Sequence, residues 1–323
     1  MAEGRMRGQV RYDNHMRVLA GDIGGTKTLL RSVEANGDVS AEERYESLEY
    51  PAFDAVLQDF LPRIPGPVDS ACFAVAGPVL NGRAEVTNVG WKLEEDALAR
   101  RFSFGRVTLI NDFYAIALGV PLLGDDDLLS LHPGTRDRKA PMAILGAGTG
   151  LGEAFVVNAR DVIPSEGGHA DFAPQDEEQT RLFLYLREQH SGHVSWERVC
   201  SGMGIASIYE FLSGETLGAA EVAQLADSGD ARASHAMDIF VDVYGSEAGN
   251  LALKVLARGG VYLAGGVAAK NIPRFTNGRF VEAFLRKGRF RPLLETIPVD
   301  LIVNERVGLI GAVEGARRAM HGS

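Results

Sequence analysis

Apolar residues in this chain alternate between two patterns: short unbroken runs closed by glycine, and longer stretches with an apolar residue every three or four positions. The first pattern predicts buried strands and the second amphipathic helices. Residues 17–33 join apolar runs through a tight glycine turn and predict a β-hairpin. A polar loop follows, and then Phe53, Val56, Leu57 and Phe60 share one face of a helix over 51–61. Residues 69–76 are a buried strand ended by Gly77-Pro78, 93–102 a helix, and 106–110 a second buried strand. That strand ends at Asn111-Asp112, before a helix over 113–118. The second half repeats the logic, with strand, glycine turn and strand over 143–157 and helices at 179–188 and 201–212. A long amphipathic helix spans 230–258, and a strand at 261–264 closes on Gly265-Gly266 before a short helix. A last strand, 301–304, precedes a helix over 309–320.

The two glycine hairpins stand 124 residues apart, measured from Gly24 to Gly148. That separation is too long for a solenoid repeat and fits a duplicated α/β domain whose two turns face a shared cleft. Strands alternating with helices predict mixed or parallel sheets covered by helices.

Composition narrows the function. A chain of 323 residues with 46% apolar and 24% charged residues has enough material for two lobes, each with its own core. The net charge of −10 argues against a nucleic-acid or anionic-membrane binder, which needs basic surface. It leaves room for a nucleotide, because a local cluster of backbone N–H groups binds phosphate on an acidic protein. Cys72 and Cys200 lack metal-ligand spacing, so neither a disulfide framework nor a zinc site is expected, as suits a reducing cytosol. Residues 1–17 lack the apolar core of a signal peptide, and no run approaches the roughly 18 apolar residues that span a membrane. The expectation is a cytoplasmic protein with a flexible tail over 1–16.

Five places carry candidate chemistry. In Gly21-Asp22-Ile23-Gly24-Gly25-Thr26 the paired glycines allow positive φ and remove the β-carbons that hold a phosphate away. Successive N–H groups and the Thr26 hydroxyl then suit phosphates, and Asp22 suits water on a magnesium ion. The plain alternative is a hairpin turn; the spacing of a P-loop is absent. Gly148 and Thr149, in the second hairpin, read as an opposite jaw of the same clamp or as a turn. Asn111-Asp112 opens a helix, so it is either an N-cap or, through Asp112, a general base for a hydroxyl. Glu166, His169 and Asp171 crowd a glycine-containing loop, either solvated or able to hold adjacent sugar hydroxyls; Glu197 has the same two readings. Gly265-Gly266 is a strand-to-helix turn or a close approach to adenine or α-phosphate.

Together these residues resemble the bacterial glucokinase family, within the hexokinase, actin and heat-shock ATPase fold group. The resemblance runs from about Val18 to the C-terminal helix. Its most specific parts are Gly-Asp-Ile-Gly-Gly-Thr at 21–26, Ile-Asn-Asp-Phe at 110–113 and Glu-Gly-Gly-His-Ala-Asp-Phe-Ala-Pro at 166–174. Thr87-Asn88 with Trp91, Glu197 followed by Ser201-Gly202, and Leu-Ala-Gly-Gly-Val at 263–267 support it. No cysteine follows His169 until Cys200, so the zinc motif of the related repressor-and-sugar-kinase family is absent. The resemblance implies a two-lobed actin-like ATPase fold (a duplicated ribonuclease H-like domain) with an interlobe cleft. Its lobes would be 17–111 plus 309–323 and 112–308. It implies an ATP- and Mg²⁺-dependent kinase for the 6-hydroxyl of glucose, with another hexose or amino sugar as the alternative substrate. By position, Asp112 is the expected base, Asn111, Asp112, Glu166, His169 and Glu197 the expected sugar-site residues, and 21–26 the phosphate segment. A homodimer is also implied.

Overall fold

A computed structural model describes residues 16–321, which divide into two units. One is the chain up to Gly119 together with the segment from Gly308 onward; the other is Val120–Val307. The expected tail over 1–16 lies, apart from Met16, outside the described residues.

In the first unit the strands are β1 (Arg17–Ile23), β2 (Lys27–Glu34), β3 (Val39–Glu46), β4 (Ser70–Val75), β5 (Val79–Leu80), β6 (Arg83–Val86), β7 (Trp91–Glu94) and β8 (Val107–Asn111). The main sheet has the order β3-β2-β1-β4-β8, with β1 to β3 an antiparallel meander and β4 and β8 parallel to β1. Side chains of a strand alternate between faces, and here both faces are covered. Leu19, Ile23, Phe73 and Val75 meet helix α1 (Phe53–Phe60) through Phe53, Val56, Leu57 and Phe60. Each of those four buried side chains contributes about 1.5–3 kcal/mol of transfer free energy. Val18, Ala20, Cys72 and Ala74 meet Leu309, Ala312 and Ala316 of the C-terminal helix Val307–His321. Helix α2 (Glu95–Phe102) leads into β8, and α3 (Asp112–Gly119) follows it directly.

The second unit repeats the topology. Its strands are β9 (Leu128–His132), β10 (Met142–Ala147), β11 (Leu151–Val157), β12 (Asp161–Ser165), β13 (Gly260–Ala264) and β14 (Val299–Ile302), in the order β12-β11-β10-β13-β14-β9. Again the first three strands of the repeat, β10 to β12, form an antiparallel meander, and β13 and β14 run parallel to β10. The glycine hairpins β1–β2 and β10–β11 therefore occupy equivalent places in the two sheets. Helices α4 (Glu177–Gln189), α5 (Gly202–Ser213), α6 (Ala219–Asp227) and α7 (Ala231–Val255) follow, with α8 (Gly266–Lys270), α9 (Ile272–Thr276), α10 (Arg279–Leu285) and α11 (Arg291–Leu294) beyond. Helix α7 is buried along most of its 25 residues because α5, α6 and α10 all pack on it. No helix among the described residues is long and apolar enough to cross a membrane.

Several expectations change. The polar loop before α1 contains β3, an edge strand whose only buried apolar side chain is that of Tyr45, so it carries no apolar alternation. The helix expected from residue 93 starts at Glu95, because Trp91 and Leu93 point into the core from β7. The long helix stops at Val255, where Leu256 turns to φ +50°. The unit boundary falls after Gly119 rather than after Asn111, because α3 packs on β4 and β8 and Ala115 lies under Gly311 of the C-terminal helix.

Candidate active site

The first unit gathers Asp22, the Gly24–Thr26 turn, Asn111 and Asp112. Gly21 and Ile23 belong to the sheet itself: a β-carbon on Gly21 would stand 2.7 Å from the Phe73 ring, and the Ile23 side chain is fully buried. The part of the motif left for a ligand narrows to Asp22 and residues 24–26. Neither Gly24 nor Gly25 has positive φ, against expectation. Glycine is needed at 25 for space, since a β-carbon would lie 2.6 Å from the Asn88 side chain. The turn closes through the Gly24 N–H to the Lys27 carbonyl, at 3.0 Å. Ser47 fastens it, with Oγ donating to the Gly24 carbonyl at 2.8 Å and its N–H donating to the Thr26 carbonyl at 2.8 Å. The Gly25 and Thr26 N–H groups stay outside these bonds, and Thr26 is exposed.

Burial and then the charge of Asp112 push the Asp22 carboxyl up to about 6, with Lys27 opposing them. Gly308, in the first turn of the C-terminal helix, leaves it room: a β-carbon there would stand 3.1 Å from Asp22 Oδ2. The cap and base readings of Asn111-Asp112 divide between the two residues. Asn111 Oδ1 accepts from the Phe113 and Tyr114 N–H groups at 2.9 and 3.3 Å, and its Nδ2 donates to the Gly77 carbonyl at 3.1 Å. Asn111 thus caps α3 and ties it to the end of β4. Asp112, half-buried, interacts electrostatically with Asp22 and accepts from the Phe113 N–H at 2.9 Å.

In the second unit the remaining polar candidates converge. His169 Nε2 is 3.7 Å from Glu166 Oε2, and its Nδ1 is 3.9 Å from Glu197 Oε1. An imidazole between two carboxylates offers donors and acceptors spaced for neighbouring hydroxyls. The Glu166 side chain is 86% exposed and that of Glu197 18%, so one is free to reach a ligand and the other is fixed. Glu197 is fixed by the Leu151 N–H, which donates to Oε2 at 3.0 Å. Its chain segment is held by the Trp196 N–H to the Ala170 carbonyl at 2.9 Å, and by Ser201 Oγ, which donates to the Glu197 carbonyl at 2.7 Å. Asp171, which the sequence placed in the same cluster, turns instead to His193, at 3.2 Å. A cavity of about 370 Å³ lies beside His169 and Glu197, lined also by His190, His193 and Arg198.

The second glycine hairpin serves this cluster as well as any phosphate. Gly150 has no room for a β-carbon because the Glu197 carboxylate fills that place. The Gly148 carbonyl accepts from the Gly202 N–H at 2.8 Å, which ties the turn to the start of α5. Gly265 takes φ +87°, and a β-carbon there would stand 2.5 Å from the Ala147 carbonyl oxygen, so Gly148, Thr149, Gly265 and Gly266 are brought together where the parallel strands β10 and β13 end. Sequence reading missed Ser47 and Glu153, and named Asn88 only beside Thr87 as support for the family resemblance. Glu153 did leave a signal, as the single charged residue between Met142 and Val157.

The glucokinase family profile matches residues 19–319. A glucokinase of Nostoc sp. is 44% identical over 338 residues, covering 93% of this chain and 99% of that one. The crystal structure of a glucokinase from an Antarctic psychrotroph has a TM-score of 0.84 at 31% identity, covering 94% of this chain and 99% of that one. A ROK-family glucokinase from Streptomyces griseus, solved with glucose and AMPPNP, shares the fold at a TM-score of 0.61 and 19% identity, covering 94% and 99%. The duplicated sheets are those of the two-lobed actin-like ATPase fold of these neighbours. With a family profile over nearly its whole length and a relative at 44% identity, the chain belongs to the bacterial glucokinase family.

Proposed function

We propose that this protein transfers the γ-phosphoryl group of ATP to the 6-hydroxyl of glucose, with Asp112 as general base. The observation that carries the sugar side is His169 held between Glu166 and Glu197. Carboxylates accept from sugar hydroxyls, and a pocket built this way rejects analogues lacking them. Asp112 takes the proton of the attacking hydroxyl as the new P–O bond forms and the bond to ADP breaks. Asn111 fixes the helix that carries Asp112 and adds to the sugar site through its amide. The N–H groups of the Gly24–Thr26 turn, with Thr26, receive phosphate oxygens; Gly148, Thr149, Gly265 and Gly266 serve the rest of the nucleotide.

Asp22 suits a magnesium ion, because a carboxylate crowded by Asp112 gains from a nearby cation. We expect the ion to be held mainly by ATP phosphates and water, because Mg²⁺ keeps much of its hydration shell. When bound, the ion neutralises charge on the transferring phosphoryl group. The proposal extends to a cytoplasmic homodimer, which sedimentation of the purified protein tests.

Sugar-dependent ADP release from MgATP, with glucose, mannose, fructose and N-acetylmannosamine in parallel, decides the assignment. Turnover highest on glucose supports it. Preference for mannose or N-acetylmannosamine keeps the mechanism and replaces the substrate. No turnover on any sugar by folded, nucleotide-binding protein overturns it.

A further inference from the structure

Strand β11 does more than fill the sheet. Its first residue, Leu151, donates its N–H to Glu197, and its carbonyl lies where a β-carbon on Gly168 would stand. Two residues on, the Glu153 carboxylate occupies the place of a β-carbon on Gly167. The Glu166–His169 turn therefore rests on β11 at two adjacent points, and glycine at 167 and 168 is what allows the approach.

Glu153 is an unusual floor. It is 2% exposed, and neither carboxylate oxygen has a hydrogen-bond partner among the described residues. The groups around it are Leu145 and Ser165 on the paired strands, Tyr244, Glu247 and Lys254 on α7, and Cys200. Lys254 bonds to Glu247 at 3.2 Å, and Asn250 donates to Glu247 at 2.7 Å, so α7's own acid takes its nearby donors. A buried carboxylate without a donor is strongly unfavourable, and the neutral acid is the form this site tolerates. Burial, reinforced by Glu247, accordingly pushes the Glu153 carboxyl up to about 7.

We propose that Glu153 is a positioning residue for the sugar site: its neutral carboxyl group is the seat of the Glu166–His169 turn and thereby sets glucose affinity. The proposal rests on the reading above that Glu166 and His169 hold the sugar. Glu153 itself touches no substrate and acts through Gly167. It acts on sugar binding more than on the phosphoryl-transfer step, which belongs to Asp112.

The test combines steady-state kinetics at about pH 6.5, below the raised value of the Glu153 carboxyl, with amide exchange of the sugar-free protein. Glu153→Gln keeps shape and neutrality, and its glucose KM is expected within about twofold of the parent. Glu153→Ala removes the seat, so KM rises by about tenfold or more while kcat stays within about threefold. The His169 and Ala170 N–H groups, which bond to the Glu166 and Gly167 carbonyls at 3.0 and 2.9 Å, exchange faster in Glu153→Ala and at the parental rate in Glu153→Gln. Gly167→Ala pushes a methyl into the carboxyl group and raises KM about tenfold alone, but by less than about twofold when added to Glu153→Ala.

Equal effects of Gly167→Ala in both backgrounds, or parental KM and exchange in Glu153→Ala, overturn the proposal. A Glu153→Gln variant as impaired as Glu153→Ala also overturns it. If Glu153→Ala does not fold, Gly167→Ala alone decides, since unchanged exchange at His169 and Ala170 removes the seat. Glu166→Gln separates the two readings. Unchanged glucose affinity in that variant defeats the sugar assignment, while the exchange measurements still report on Glu153 and the turn.

Discussion

Glu197 accepts a hydrogen bond from the Leu151 N–H at 3.0 Å, and its carboxylate fills the volume that a β-carbon on Gly150 would need. One glycine and one backbone amide thus fix a carboxylate of the proposed sugar cluster. Gly150→Ala evicts that carboxylate and breaks a charge-assisted hydrogen bond, an effect of about 1.5–3 kcal/mol. Glucose KM is expected to rise about tenfold or more, with nucleotide affinity little changed. Calorimetric titration with glucose and with a non-hydrolysable nucleotide checks this; equal losses for both ligands would contradict it.

Removing the proposed base is a cleaner change, because Asp112→Asn keeps the side chain's shape. Turnover should fall by about 10²–10⁴, the usual size of general-base catalysis, while glucose still binds. Near-parental kcat in this variant would remove Asp112 from the mechanism.

Asn111 carries a prediction for stability as well as for activity. Its Oδ1 caps α3 through the Phe113 and Tyr114 N–H groups, so Asn111→Ala should lower stability by about 0.5–2 kcal/mol. Turnover should fall with it, because the helix start carries Asp112. Asn111→Ser retains a cap and should recover most of the lost stability. Denaturant midpoints for the three proteins decide it; an unchanged midpoint in Asn111→Ala would mean that the cap contributes nothing.

Asp22 predicts a pH dependence of known sign. Its carboxyl is raised to about 6 by burial and Asp112, so the folded protein holds this proton more tightly than the unfolded chain does. Unfolding between about pH 4 and 6 therefore releases a proton, and this group's contribution to stability falls as pH rises through that window, then levels off. A cation beside Asp22 favours the ionised form, so MgATP affinity should weaken as pH drops below about 6. Asp22→Asn should flatten both profiles. A fluorescent nucleotide titrated across that range, in the presence of magnesium, measures the effect directly; identical profiles in parent and variant would exclude Asp22 from it.

Much of this was legible because local pattern and global fold agree. Leu19, Ile23, Phe73 and Val75 announce buried strands, Phe53 to Phe60 a one-faced helix, and the spacing of two glycine hairpins a duplicated sheet. Strand β3 was hidden because an edge strand pairs on one side only and carries charged residues such as Glu42, Glu43, Arg44 and Glu46 in place of apolar alternation, Glu42 pairing with Arg31 of β2. Strand β12 was hidden for the same reason, lying at the edge of its sheet with Asp161, Ile163 and Pro164 exposed.

The sequence by itself determined which chemical groups this protein owns and roughly which element carries each. Composition, glycine spacing and the Glu166–His169 segment were sufficient for that, since each depends on neighbours in the chain. Only the tertiary structure decided which of those groups meet. It joined Glu197 to His169 across 28 residues of sequence, from positions 169 and 197. It assigned Asn111 to capping, turned Asp171 toward His193, and placed an unpartnered Glu153 beneath Gly167. The reason is physical: a carboxylate's role depends on donors, charges and water within a few ångströms, and those are supplied by segments remote in sequence.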